Sequence, residues 1–72
     1  MNHSPTTAVL RVYDTGQDHV AVYYIDLTDE QQLVDVWPRS EVTELAQQFA
    51  REQGFDNYTL AVVRLGATSR LQ

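Results

Sequence analysis

The feature that most limits what this chain can fold into is a mismatch: one short amphipathic helix stands against more apolar strand than it can cover. Residues 40–54 read as the helix. Ser40 is the N-cap candidate, and Glu41 and Glu44 sit in the first turn, where the helix dipole favours anions. Val42, Leu45, Ala46, Phe49 and Ala50 recur at helical spacing as one narrow apolar stripe. Arg51 closes the last turn, Gly54 supplies a left-handed stop, and Phe55 is placed to fold back on the stripe. Two of the five stripe positions are alanine, so the helix has little apolar surface to offer.

Around it lie strand-forming segments. Residues 8–14 (AVLRVYD) and 19–27 (HVAVYYIDL) flank the turn Thr15-Gly16-Gln17-Asp18 and read as a hairpin. Residues 58–65 (YTLAVVRL) form a last strand. The segment 28–37 admits two readings. Thr28-Asp29-Glu30-Gln31 has capping-box spelling, which would start a helical turn. Leu33-Val34-Asp35-Val36-Trp37, with Pro38 behind it, favours extended chain, and the balance falls on a turn at 28–31 and a strand at 32–37. Trp37 is expected to plug the core at the helix entry.

The order β-β-β-α-β in 72 residues allows one α+β domain, with residues 1–7 as a loose arm and 66–72 as a frayed tail. An antiparallel meander, followed by a right-handed crossover through the helix, places the last strand beside the first. The expected architecture is a mixed four-stranded sheet of order 4-1-2-3 with one helix on one face. The strands carry apolar residues on both parities, unlike a sheet with one wet face. The uncovered face should therefore be a docking surface, and the candidates for it are Val9, Arg11, Tyr13, Val22, Tyr24, Asp26, Tyr58 and Arg64.

Charge narrows the partners. Ten acidic residues oppose five basic ones, all arginine, for a net charge of −5. Asp14, Asp18, Asp29, Glu30 and Asp35 around the turns and third strand, with Glu41, Glu44 and Glu52 on the helix, form a candidate acidic surface. It suits a protein partner with a basic surface. A homodimer through the bare sheet face is the second expectation. An RNA-binding sheet using Tyr13, Tyr24, Tyr58, Arg11 and Arg64 is disfavoured by the charge and by the lack of a Gly-aromatic RNA-recognition signature. Apolar runs such as 20–25 and 60–63 are far shorter than the roughly 20 residues that span a bilayer, so no membrane role is expected. The polar start, without a basic or apolar signal region, gives an expectation of cytoplasmic residence.

Catalytic and metal chemistry find no constellation. The chain has no cysteine, and His3 and His19 are not at ligand spacing. Ser4, Ser40 and Ser69 fall in the arm, the cap and the tail, and Gly16, Gly54 and Gly66 stand apart rather than forming a phosphate loop. The expectation is a non-enzymatic protein with no cofactor and no metal.

With that architecture and acidity, the chain resembles the small anti-CRISPR inhibitors of phages and mobile elements. The segment Gly54-Phe55-Asp56-Asn57-Tyr58, running from helix end to strand start, is similar to one in some inhibitors of type I systems. The resemblance implies a viral protein, acting in the host cytoplasm, that binds a nucleic-acid-handling complex and blocks it sterically or by charge mimicry. It assigns no individual residue a role.

Overall fold

The computed structural model describes residues 6–65. The first five residues of the expected arm, with His3 and Ser4, and the expected tail 66–72, with Gly66 and Ser69, lie outside them. Of the arm, Thr6 and Thr7 are ordered by the fold: Thr7 opens the first strand, and the Thr6 carbonyl accepts from the amides of Asp56 and Asn57 at 3.0 Å.

Strands β1 (Thr7–Asp14), β2 (His19–Ile25), β3 (Gln31–Pro38) and β4 (Asn57–Arg64) form one mixed sheet, with helix α1 (Val42–Glu52) packed on one face. The sheet order is β3-β2-β1-β4. β1 and β3 each pair antiparallel with β2, and β4 lies parallel to β1. This is the α+β architecture and strand order read from the sequence. The strand reading of residues 32–37 holds, and among the described residues no second helix roofs the other face.

Under α1, Leu10, Val12, Val20, Val22, Trp37, Val42 and Ala46 form the buried cluster, with Tyr24, Val34, Leu45, Phe49, Tyr58 and Leu60 packed against it. The helical stripe is thus used as its spacing implies. Leu10, Val20 and Val22 are the largest fully buried side chains, each worth about 1.5–3 kcal/mol of burial.

β3 solves a parity problem. In a regular strand Val34 and Trp37, three residues apart, would point to opposite faces. A bulge opposite Val22/Tyr23 inserts one extra residue, so both reach the helix side. Asp35 Oδ1 accepts from the Val36 amide at 2.7 Å within this irregular stretch.

Strand ends move by one residue at Thr7, Gln31, Pro38, Asn57 and Arg64, and two local ends differ more. Ser40 does not cap the helix: Arg39–Glu41 make a 3-10 turn, Glu41 is the N-cap of α1, and neither start has a side-chain cap bond. Pro38 holds extended backbone just before, so the chain tightens into 3-10 geometry before the α-helix begins. β2 stops at Ile25, two residues short of the expected end, because Asp26 turns the chain and Leu27 projects fully into solvent.

At the other end of α1, Gly54 adopts φ +85°. Its amide donates to Arg51 O at 3.2 Å, and the Phe55 amide donates to Ala50 O at 2.8 Å, a Schellman stop. The Gly54-to-Tyr58 spelling therefore has a local physical explanation: a left-handed stop, a ring folded back, a turn, and a core tyrosine starting β4.

Candidate interaction surface

The pairing register decides which side chains share the bare face. Val9 is opposite Ile25, Arg11 opposite Tyr23 and Tyr13 opposite Ala21 on β2. β4 adds Thr59, Ala61 and Val63 at the same levels, and β3 adds Gln31, Leu33 and Val36. Val9, Leu33, Val36 and Leu65 are between 42 and 59 % exposed, so this face presents apolar surface to solvent.

Its polar groups bind one another. Gln31 Oε1, on the outer strand, accepts from Arg11 Nη1 at 2.9 Å and from the Tyr13 hydroxyl at 2.5 Å. Tyr13 and Tyr23 meet edge to face, ring centroids 5.3 Å apart and planes at 89°. Beside them a shallow depression of about 530 Å³ is bordered by Tyr13, Tyr23, His19, Val36 and Leu65. Arg11 is the one charged side chain at these register positions, and no carboxylate stands among them.

Of the eight residues expected on this face, the structure gathers three: Val9, Arg11 and Tyr13. Val22 is wholly buried under the helix, and Tyr24 packs there against Phe49 and Phe55, with centroids 6.2 and 5.9 Å apart. Tyr58 shares a level with Ala8 and packs on the helix-side core. Arg64 is level with Asp14, on the helix-side parity of β4. Asp26 lies beyond the sheet, in the β2–β3 turn.

For β2 the error has one source, while Tyr58 and Arg64 are placed by the pairing of β4 with β1. Setting the strand ends Asp14 and His19 opposite each other would place Tyr13 across from Val20 and would join Val22 and Tyr24 to the Arg11 face. The actual register is one residue off, and a one-residue slip exchanges the faces. Tyr23, Leu33 and Val36 were therefore missed. The signal available was chemical: pairing Val20 and Val22 with Leu10 and Val12 joins apolar to apolar, whereas the slipped register sends Arg11 to one face with them.

The expected acidic surface divides by role. Asp14 Oδ1 accepts from the Gly16 amide at 2.8 Å and from Arg39 Nη2 at 3.0 Å. The Gly16 amide first, and then Arg39, hold this carboxyl below its ordinary range. Asp26 Oδ1 accepts from the Thr28 hydroxyl at 2.6 Å and from the amides of Thr28 and Glu30 at 2.8 and 3.1 Å. The Thr28 hydroxyl leads in lowering its titration. Both residues are turn builders. Asp18, Asp29, Glu30, Asp35, Glu41, Glu44 and Glu52 are exposed on turns, bulge and helix.

With Tyr24 and Tyr58 under the helix, the aromatic platform expected for RNA reduces to Tyr13 and Tyr23, which stand perpendicular rather than offering two parallel rings. Among the described residues no three His, Cys, Asp or Glu side chains converge as metal ligands, and no helix is long and apolar enough to cross a membrane. No protein-family profile, curated protein or solved structure matches the chain.

Proposed function

We propose that this chain is a small, non-catalytic protein-binding module that works through the sheet face that α1 leaves bare among the described residues. One observation carries the reading: a chain of net charge −5 keeps every carboxylate off a face lined by exposed Val9, Leu33, Val36 and Leu65 and by Tyr13 and Tyr23. Leaving apolar surface in water costs about 25 cal/mol per Å², and a partner recovers that. The polar groups on the face hold one another through Gln31, which suits a preformed surface rather than a reacting centre.

A second reading concerns the acids. Eight exposed carboxylates surround the sheet and run along α1. An inhibitor of the kind the chain resembles would set this perimeter against a basic, nucleic-acid-binding surface of its target.

The test of the main reading uses the chain immobilised beside a Leu33→Glu/Val36→Glu double variant, both confirmed folded by circular dichroism. We expect protein from a lysate of the source cells, further copies of the chain included, to be retained by the wild type and lost by the variant. Equal retention by both, or none by either, overturns it.

A further inference from the structure

Resting on the reading that the bare sheet face is a docking surface, we propose that its occupant is a second copy of this chain. The two copies pack face to face about a two-fold axis that runs along the strands between β1 and β2.

The register makes the face self-complementary. Such an axis lays β1 over the partner's β2, and β4 over the partner's β3, each level meeting itself. Arg11 and Tyr23 share a level, so Arg11 of one copy, turning from Gln31 Oε1 of its own sheet, comes over the ring of the partner's Tyr23, and the reverse holds on the other side of the axis. A guanidinium over a tyrosine face is favourable, the more so when water is excluded. Tyr13 and Ala21 share the next level, so the largest ring on β1 meets the smallest side chain on β2. On the flanks Ala61 is level with Leu33, through Arg11 and Tyr23, and again small meets large. An interface of this symmetry requires that a patch fit its own rotated image, and these three pairs, on two levels, do.

Charge leaves the face open to a second copy. Each copy brings one cation, Arg11, and no carboxylate, and the register sets each guanidinium against the partner's Tyr23 ring rather than against the other guanidinium. Two copies bring together surfaces free of carboxylates, while the ten acids of each chain stay outside the contact levels. The area is sufficient but small. Four strands about 4.8 Å apart and about eight residues long at 3.3 Å give roughly 500 Å² per copy, near 1,000 Å² in all. That is the low end for a specific interface, so a micromolar dimer is expected rather than an obligate one.

Sedimentation equilibrium of the full chain, from about 5 to 500 µM, brackets the affinity expected of so small an interface. We expect a species of twice 8.2 kDa, with Leu33→Glu and Val36→Glu each weakening it by about tenfold or more. Val62→Glu, a residue 53 % exposed but on the helix-side parity of β4, should leave the association unchanged. The chain has no cysteine of its own, so geometry can be read by cross-linking. Chains carrying Ala61→Cys mixed with chains carrying Leu33→Cys should join through a short bismaleimide more efficiently than either does alone. A monomer throughout the range overturns the proposal. If the face variants still lose a retained protein from the lysate, the docking reading survives with another occupant; if they do not, both fail. A dimer indifferent to Leu33→Glu and Val36→Glu, or one cross-linked equally well by either single variant, also overturns it.

Discussion

Arg39 Nη2 donates to Asp14 Oδ1 at 3.0 Å, joining the end of the first strand to the start of the helical segment across 25 residues of sequence. The same guanidinium donates to the Gln17 carbonyl, and the Arg39 amide donates to Asp18 O at 2.7 Å. One arginine thus pins the β1–β2 turn to the corner where β3 becomes α1. Arg39→Ala should lower Tm by a few degrees, since the backbone bond to Asp18 persists while the side-chain bonds are lost. Arg39→Lys should recover only part of the loss, because an ammonium lacks the fork that reaches Asp14 and Gln17 together. Thermal unfolding of the two variants checks both statements.

The two faces of the sheet differ in what truncation costs. Leu10 is wholly buried between the sheet and α1, whereas Leu33 is 59 % exposed on the bare face. Leu10→Ala should destabilise by about 2–5 kcal/mol, a loss comparable to the whole stability of a chain this small. Leu33→Ala should change the stability of the monomer by less than about 0.5 kcal/mol. Denaturant titrations at low protein concentration separate the two. A large loss at Leu33 in the monomer would mean that the bare face is packed in a way the fold does not show.

Acid should unfold the protein through its turns. The Asp14 and Asp26 carboxylates both titrate below their ordinary range, held by the Gly16 amide and Arg39 in one case and by the Thr28 hydroxyl and the Glu30 and Thr28 amides in the other. A depressed folded-state pKa adds stability above the unfolded value, near 3.9, and that stability is lost as pH falls through the folded value. Tm should therefore be nearly flat between about pH 7 and 5 and fall steadily below about pH 4. Asp26→Asn should lower Tm at neutral pH and flatten the acid limb. A variant with an unchanged acid limb would show that Asp26 does not drive it.

How far the sequence reveals this molecule depends on the range of the forces involved. The stripe Val42-Leu45-Ala46-Phe49-Ala50, the stop at Gly54 and the alternation within each strand are local, and all can be read from spacing alone. So is the strand order, which follows from the meander and the short crossover. The pairing of Tyr13 with Ala21 rather than Val20 is not local: it is settled by which set of β2 residues the helix buries. That single choice moved Val22 and Tyr24 off the expected docking face and brought Tyr23, Leu33 and Val36 onto it, while Tyr58 is placed separately, by the pairing of β4 with β1 that sets it level with Ala8. Asp26 and Asp14 misled for a related reason, since a carboxylate in a turn sequence looks like surface charge until its amide partners are known.

The β3 bulge makes a prediction that runs against the usual expectation for a deletion inside a strand. Val34 and Trp37 both face α1 because one extra residue sits between Leu33 and Val36, each of which faces the bare side. Deleting Asp35 leaves Leu33, Val34, Val36 and Trp37 in strict alternation, with every side chain on its present face. The shortened chain should fold, with stability within about 1 kcal/mol of the parent. Inserting an alanine after Asp35 also restores alternation, but it slides Trp37 two residues along β2, from Val20 to beyond His19, and takes it out of the core under α1 at a cost of about 3 kcal/mol or more. Trp37 is the chain's single tryptophan, so its fluorescence reads the outcome directly. Emission should stay blue-shifted in the deletion and move to the red in the insertion. A red shift in the deletion would show that the bulge sets the face of Trp37 in some way other than by counting residues.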